Sequence, residues 1–187
     1  MKIEELKEIE IEVNNCEKCR LCGNRLNAVF GEGNIDADIM FTGESPGKEE
    51  SEQGRPFVGR SGKLLNAWII KELGLTRKDV YIANIIKCRP PSNRNPQPDE
   101  VELCLPYLNK QIEIIKPKII ILLGAVALKS LFQNNNLGIM KCRGKWLSYN
   151  DIPVMPTYHP AFLLRQMSEK NKNAVKNDFK LILEKIS

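Results

Sequence analysis

Apolar positions recur along this chain with two different periods. Ile3, Leu6, Ile9 and Val13 stand three or four residues apart, the spacing of one helical face, and predict a helix over 2–13. The run DIMFTG predicts a strand at Asp38–Gly43. A helical pattern follows, with Ser61 as the expected N-cap, Leu64, Leu65, Trp68 and Ile69 on its inner face, and Gly74 past its end. The near-continuous apolar run VYIANIIK predicts a second strand over Val80–Lys87, buried on both faces. The proline-rich stretch RPPSNRNPQP reads as an irregular loop. Asp99 is the expected cap of a helix reaching Ile115, in which Pro106 predicts a kink or a late start. A third strand is expected at Lys118–Leu123, a helix at Ala125–Phe132 and a fourth strand at Ile152–Thr157. Two short helices complete the chain, the last carrying Val175, Phe179, Ile182 and Ile186.

Strands that alternate with helices imply a mostly parallel sheet covered on both faces. The expected fold is therefore α/β: an α/β/α sandwich around a central four-stranded sheet. The 187 residues suit one domain, 1–187, with no internal repeat or linker. In such folds ligands sit beyond the carboxyl ends of the strands.

Composition changes this picture little. Apolar residues make up 42% and charged residues 27%, ordinary values for a soluble globular chain. No apolar run approaches the roughly 20 residues that span a bilayer, and the charged start MKIEELKEIEIEV has no signal-peptide apolar region. No membrane association is expected, and the expected compartment is the cytoplasm. The net charge of +5 is compatible with a polyanionic partner without requiring one.

The candidate chemistry lies at the predicted strand ends. GESPGKEESEQGRPFVGRSG, from Gly43 to Gly62, looks at first like a phosphate loop. Its spacing is wrong for G-x-x-x-x-G-K-[ST], and Glu49 follows Lys48 where a magnesium-binding hydroxyl is needed. Glu44, Glu49, Glu50 and Glu52 would repel a triphosphate. Six cysteines in a reducing compartment call for something other than disulfides. Cys16 and Cys19 form C-x-x-C, Cys22 adds a further step, and fifteen residues separate Cys88 from Cys104. Four thiolates suit zinc or an iron–sulfur cluster. Cys142 reads as an ordinary thiol.

Taken together, GESPG, GRPFVG, NIIKCRPP and YHPAFLLR, in this order, resemble the iron–sulfur uracil-DNA glycosylases, family four of that superfamily. The resemblance runs from Cys16 to about Arg165. It implies a monofunctional glycosylase that flips uracil out of DNA, hydrolyses its N-glycosidic bond and leaves an abasic site. It implies that His159, the sole histidine, donates to uracil O2 and stabilises the leaving anion. Asn84 would match uracil O4 and N3–H, since a carboxamide offers both a donor and an acceptor. Phe57 would stack on the base, and the backbone of Gly43–Gly47, with Ser45, would line the bottom. Glu44 holds the position of a uracil-contacting residue. Glu50 matches a loop acid that orients water or favours the cationic sugar. Ser45 stands where the best-known branch carries a water-activating aspartate, so the water's base is left unassigned.

The resemblance further implies a [4Fe–4S] cluster on Cys16, Cys19, Cys88 and Cys104, with Cys22 an alternative to Cys19. The cluster's expected role is structural. Leu163 or Leu164 is the expected wedge that fills the hole left by the flipped base. Arg165, Arg89 and Arg94 are expected to meet phosphates. The expected partner is uracil-containing DNA and the expected state a monomer. Any contact with a replication clamp or polymerase is not readable from the sequence. Two other readings stand beside this one: an iron–sulfur protein that binds uracil or DNA without cleavage, and a relative that cross-links itself to DNA through the histidine.

Overall fold

A computed structural model describes residues 1–186. One sheet runs through it in the order β1 (Glu32–Gly33), β3 (Tyr81–Asn84), β2 (Ile39–Gly43), β4 (Ile119–Leu123), β6 (Ile152–Thr157), β5 (Leu147–Tyr149). Its parallel centre is β2, β3, β4 and β6. These are the four predicted strands. Two short antiparallel edges, β1 and β5, bring the sheet to six strands rather than four. At two and three residues they are too short to show a period-two pattern, so the sequence carried no signal for them. The second strand is also shorter than expected. Ladder pairing ends at Asn84, although residues 85–88 stay buried.

Side-chain alternation along the strands builds two cores. Met40, Tyr81, Ala83, Ile120, Leu122 and Val154 face one side. There they meet α1 (Lys2–Asn14), α4 (Pro98–Ile115) and α5 (Ala125–Phe132). Ile39, Phe41, Ile82, Ile121, Leu123 and Met155 face the other. There they meet α3 (Arg60–Leu73), α7 (Pro160–Arg165) and α8 (Glu169–Ile186). Burying each such side chain stabilises the fold by roughly 1.5–3 kcal/mol before entropy is counted.

Several helix ends differ from expectation. The N-cap of α3 is Gly59, not Ser61, and the Gly59 N–H donates to the Glu50 carboxylate. Gly74 terminates α3 in the left-handed region at φ 67, as a glycine there favours. The N-cap of α4 is Gln97, whose N–H donates to the Glu100 carboxylate at 2.8 Å. Asp99 lies in its first turn and pairs with Arg20. Helix α4 continues through Pro106 with no late start. The final helix, α8, has 18 residues and is not short. Among the described residues, no helix is long and apolar enough to cross a membrane.

The strand order places β2 between β3 and β4, so successive connections leave it in opposite directions. A crevice opens at such a switch point, outside the carboxyl ends of the strands.

Candidate active site

The crevice is lined from four strand ends: Glu44–Glu50 after β2, Asn84 at the end of β3, Gly124 after β4, and His159 after β6. The segment between Gly43 and Gly62 is not loop throughout. Lys48–Gln53 forms a short helix, α2, which the polar sequence KEESEQ did not reveal. Glu50 leaves α2 to clamp the next segment. Its Oε1 accepts from the Val58 and Gly59 N–H groups, both at 2.9 Å. This holds Phe57 with φ at 51. Arg77 adds a bond from Nη1 to the Phe57 carbonyl at 3.0 Å.

Phe57, Asn84 and Gly43 meet at the floor. Gly43 and Asn84 are register partners on adjacent strands. A Cβ at residue 43 would lie 2.5 Å from Asn84 Oδ1 and 2.5 Å from Phe57 Cζ. Only glycine lets both side chains occupy that space. Asn84 is 2% exposed, and its Oδ1 has no partner among the described residues. A buried amide oxygen without a hydrogen bond costs about 1–3 kcal/mol, so this acceptor marks a place for a donor from outside. Ser45 is half-buried on the same lining.

His159 lines the crevice beside Phe57. Its ring centroid is 5.7 Å from that of Phe57, with the planes tilted by 34°. It is the N-cap of α7, and Nδ1 accepts the Ala161 N–H at 3.1 Å. With Nδ1 an acceptor, the neutral ring carries its proton on Nε2. Burial, reinforced by the Arg165 cation and opposed by Glu50, lowers the pKa to about 4. The imidazole is therefore neutral near pH 7 and donates from Nε2. Glu44 behaves in the opposite sense. Burial alone pushes its pKa up to about 7, so it exchanges a proton near neutrality.

The expected DNA contacts are only partly available. Leu163 is 3% exposed and packs in the core with α3 and α8. It is not a wedge. Leu164, on the next position of α7, is partly exposed, and Arg165 is exposed on the crevice rim. Arg94 is committed elsewhere, contrary to its expected phosphate contact. Its Nη1 and Nη2 grip the buried Glu100 carboxylate at 2.8 and 2.6 Å. Both oxygens of Glu100 are thereby satisfied at the start of α4. Arg89 Nε donates to Asn93 Oδ1 at 2.8 Å and is partly exposed.

Cys16, Cys19, Cys88 and Cys104 pack with the core on one sheet face and Phe57 with the core on the other. Cys16, Cys19, Cys22, Cys88 and Cys104 line one small chamber. Arg25 enters it, donating from Nη1 to the Cys16 carbonyl at 2.7 Å and to Cys88 Sγ at 3.4 Å. Burial raises the Cys19 and Cys88 thiols and pushes Cys104 up to about 12. Cys142 is apart from them on α6 (Ile139–Cys142).

Two further residues were not singled out in the sequence. Lys87 is fully buried beneath Asn84. A lysine ending the run VYIANIIK was its only signal. Met140, on α6, is 69% exposed at the crevice mouth. A four-residue helix after a polar loop left no periodicity by which to find it.

The profile of the uracil DNA glycosylase superfamily matches residues 30–182. A type-4 uracil-DNA glycosylase of Saccharolobus solfataricus is 48% identical over 183 residues, covering 94% of this chain and 84% of the relative. One from Thermotoga maritima is 48% identical, covering 94% and 92%. One from Archaeoglobus fulgidus is 41% identical, covering 97% and 94%. With the crevice built from the strand ends that carry GESPG, NIIKCRPP and YHPAFLLR, these likenesses place the chain in the uracil-DNA glycosylase superfamily, within its type-4 branch.

Proposed function

We propose that this chain excises uracil from DNA by hydrolysis, leaving an abasic site. The observation that carries the reading is the unpartnered Asn84 Oδ1 on the crevice floor, between Gly43 and Phe57. A flipped uracil lies against the Phe57 ring, where base–aromatic stacking contributes about 1–3 kcal/mol. Its N3–H donates to Asn84 Oδ1, and its O4 accepts from Asn84 Nδ2. Cytosine offers a bare N3 and an amino group in those places, so both contacts oppose it. The neutral His159 donates from Nε2 to O2, where negative charge gathers as the C1′–N1 bond breaks and its electron pair leaves with the base. Water then bonds to C1′, and Glu44 takes the proton that water releases.

Giving Glu44 the role of base rests on its raised pKa and on the other acid's commitment. Glu50 spends Oε1 on the Val58 and Gly59 N–H groups. In this reading Glu50 shapes the Phe57 wall, and its negative charge lies near His159. Leu164 fills the vacated stack, while Arg165 and Arg89 meet phosphates. All of these groups come from one chain, so a monomer suffices.

The pH dependence of uracil release tests the reading. Glu44 loses its proton above about pH 7. kcat/KM is therefore full above that value and falls as pH drops through it, by about tenfold per unit. His159, lowered to about 4, adds no second step near 6.5. Glu44→Gln lowers the plateau and removes the step. A flat wild-type profile contradicts Glu44 as base, and absence of uracil release contradicts the whole reading.

The same proposal assigns a [4Fe–4S] cluster to Cys16, Cys19, Cys88 and Cys104. Among the described residues, no three His, Cys, Asp or Glu side chains converge as one metal ion requires. Five cysteines nevertheless surround one chamber. Four thiolates suit one zinc or an iron–sulfur cluster, and the motif resemblance favours the cluster. When bound, the cluster supplies a covalent tie among the segment before Arg20, the turn after β3, and α4. Arg25 and the Lys87 N–H present hydrogen-bond donors to Cys88 Sγ and Cys104 Sγ. Cys104→Ser is expected to lose most bound iron and visible absorbance, and to lower Tm by about 10 °C or more. Iron analysis and a thermal melt check both.

A further inference from the structure

Lys87 is 1% exposed in a region of Ile, Phe and Tyr side chains. Burying an ammonium is costly unless it is hydrogen-bonded and paired. Its Nζ donates to Gln111 Oε1 at 2.6 Å and to the Asn84 carbonyl at 3.0 Å. Gln111 is itself fixed, donating from Nε2 to the Phe30 carbonyl at 3.0 Å and to Tyr81 Oη at 3.1 Å.

The sheet leaves a vacancy that the ammonium fills. The Ile85 N–H donates to the Gly43 carbonyl, toward β2. Backbone groups alternate in direction along a strand, so the Asn84 carbonyl points the other way, toward β1. But β1 pairs only with Tyr81 and Ile82. Among the described residues no strand reaches Asn84 on that side, and Lys87 folds back three residues to take the carbonyl. Its own N–H donates to Cys104 Sγ at 3.3 Å, and its carbonyl accepts from the Val29 N–H at 2.7 Å. One residue thus ties the peptide that carries Asn84 to the segment that seats the cysteines.

We infer that Lys87 is a positioning residue for uracil recognition, an ammonium clamp on the Asn84 backbone that fixes where its carboxamide meets the base. The inference rests on the reading of Asn84 given above, and it adds a residue that touches neither uracil nor water. It also accounts for a buried cation that packing alone would disfavour. A methionine of similar length would fill the same space without desolvating a charge.

A double-mutant cycle separates positioning from plain stabilisation. Lys87→Met, Asn84→Ala and the double variant are assayed for uracil excision on an oligonucleotide and for inhibition by free uracil, each at matched iron content. Lys87→Met is expected to lower kcat/KM and raise the inhibition constant by about tenfold or more in the wild-type background, and to change either by less than about twofold once Asn84 is alanine. Equal losses in both backgrounds, or no loss, would overturn the inference. If Asn84→Ala leaves uracil excision unchanged, the reading of Asn84 fails instead. Should Lys87→Met not reach full iron content, Gln111→Leu withdraws the second acceptor and leaves Lys87 in place. It is carried through the same cycle, with the same non-additivity expected and additivity overturning the inference.

Discussion

His159→Ala is expected to lower kcat for uracil release by about 10²–10³-fold, the typical effect of removing one donor aimed at developing negative charge. The magnitude follows from how the ring is held. Its Nδ1 is occupied by the Ala161 N–H, so its proton faces the crevice from Nε2. Burial keeps it neutral far below pH 7, so no proton need be shed before it donates. A hydrogen bond that strengthens as uracil becomes an anion acts on the transition state more than on the bound substrate. The loss should therefore appear in kcat, with KM changed by much less. Single-turnover rates on wild type and variant check this. A variant that loses mainly in KM would show that His159 binds the base without stabilising its departure.

Gly43→Ala is expected to cost about 10²-fold in kcat/KM, the size of effect that misplacing a reacting group by about 1 Å can have. The new methyl would lie 2.5 Å from Asn84 Oδ1 and from Phe57 Cζ. Both neighbours are anchored at the backbone. Asn84 is held by β2 and by Lys87. Phe57 is held through its carbonyl by Arg77 and through the next two N–H groups by Glu50. At Gly62 a Cβ would collide with the Phe57 carbonyl itself, so α3 blocks retreat on that side. The fold should lose only about 1–3 kcal/mol, as overpacking does. Measuring Tm beside kcat/KM distinguishes a displaced floor from a damaged fold. Wild-type activity in Gly43→Ala would mean that the floor at Asn84 and Phe57 does not meet the base.

The parallel centre of the fold was legible because strands such as IIILL and helices such as KLLNAWIIKEL carry period and length together. What escaped was set by tertiary contacts. The edges β1 and β5 are too short to have a period. Ser61 lies inside α3 because the helix starts earlier, after Gly59, whose N–H is held by Glu50 on α2. Leu163 and Leu164 were equivalent as letters in PAFLLR, and only the packing of α7 on α3 and α8 decides which is buried. Arg94 read as a free cation until Glu100, six residues on, was seen beneath it. His159, Asn84, Phe57 and Glu44 were singled out through motif order, and all four line one crevice. Lys87 was missed because its partners, the Asn84 carbonyl and Gln111, are set by the way the chain folds back after β3.

The most direct test is multiple-turnover cleavage of a labelled DNA oligomer carrying one uracil, treated with alkali to cut abasic sites, beside matched oligomers carrying thymine or cytosine. The account predicts free uracil and alkali-labile sites in excess over enzyme, on the uracil strand alone. No cutting by iron-loaded protein, or one stable protein–DNA adduct per molecule in place of turnover, would contradict it.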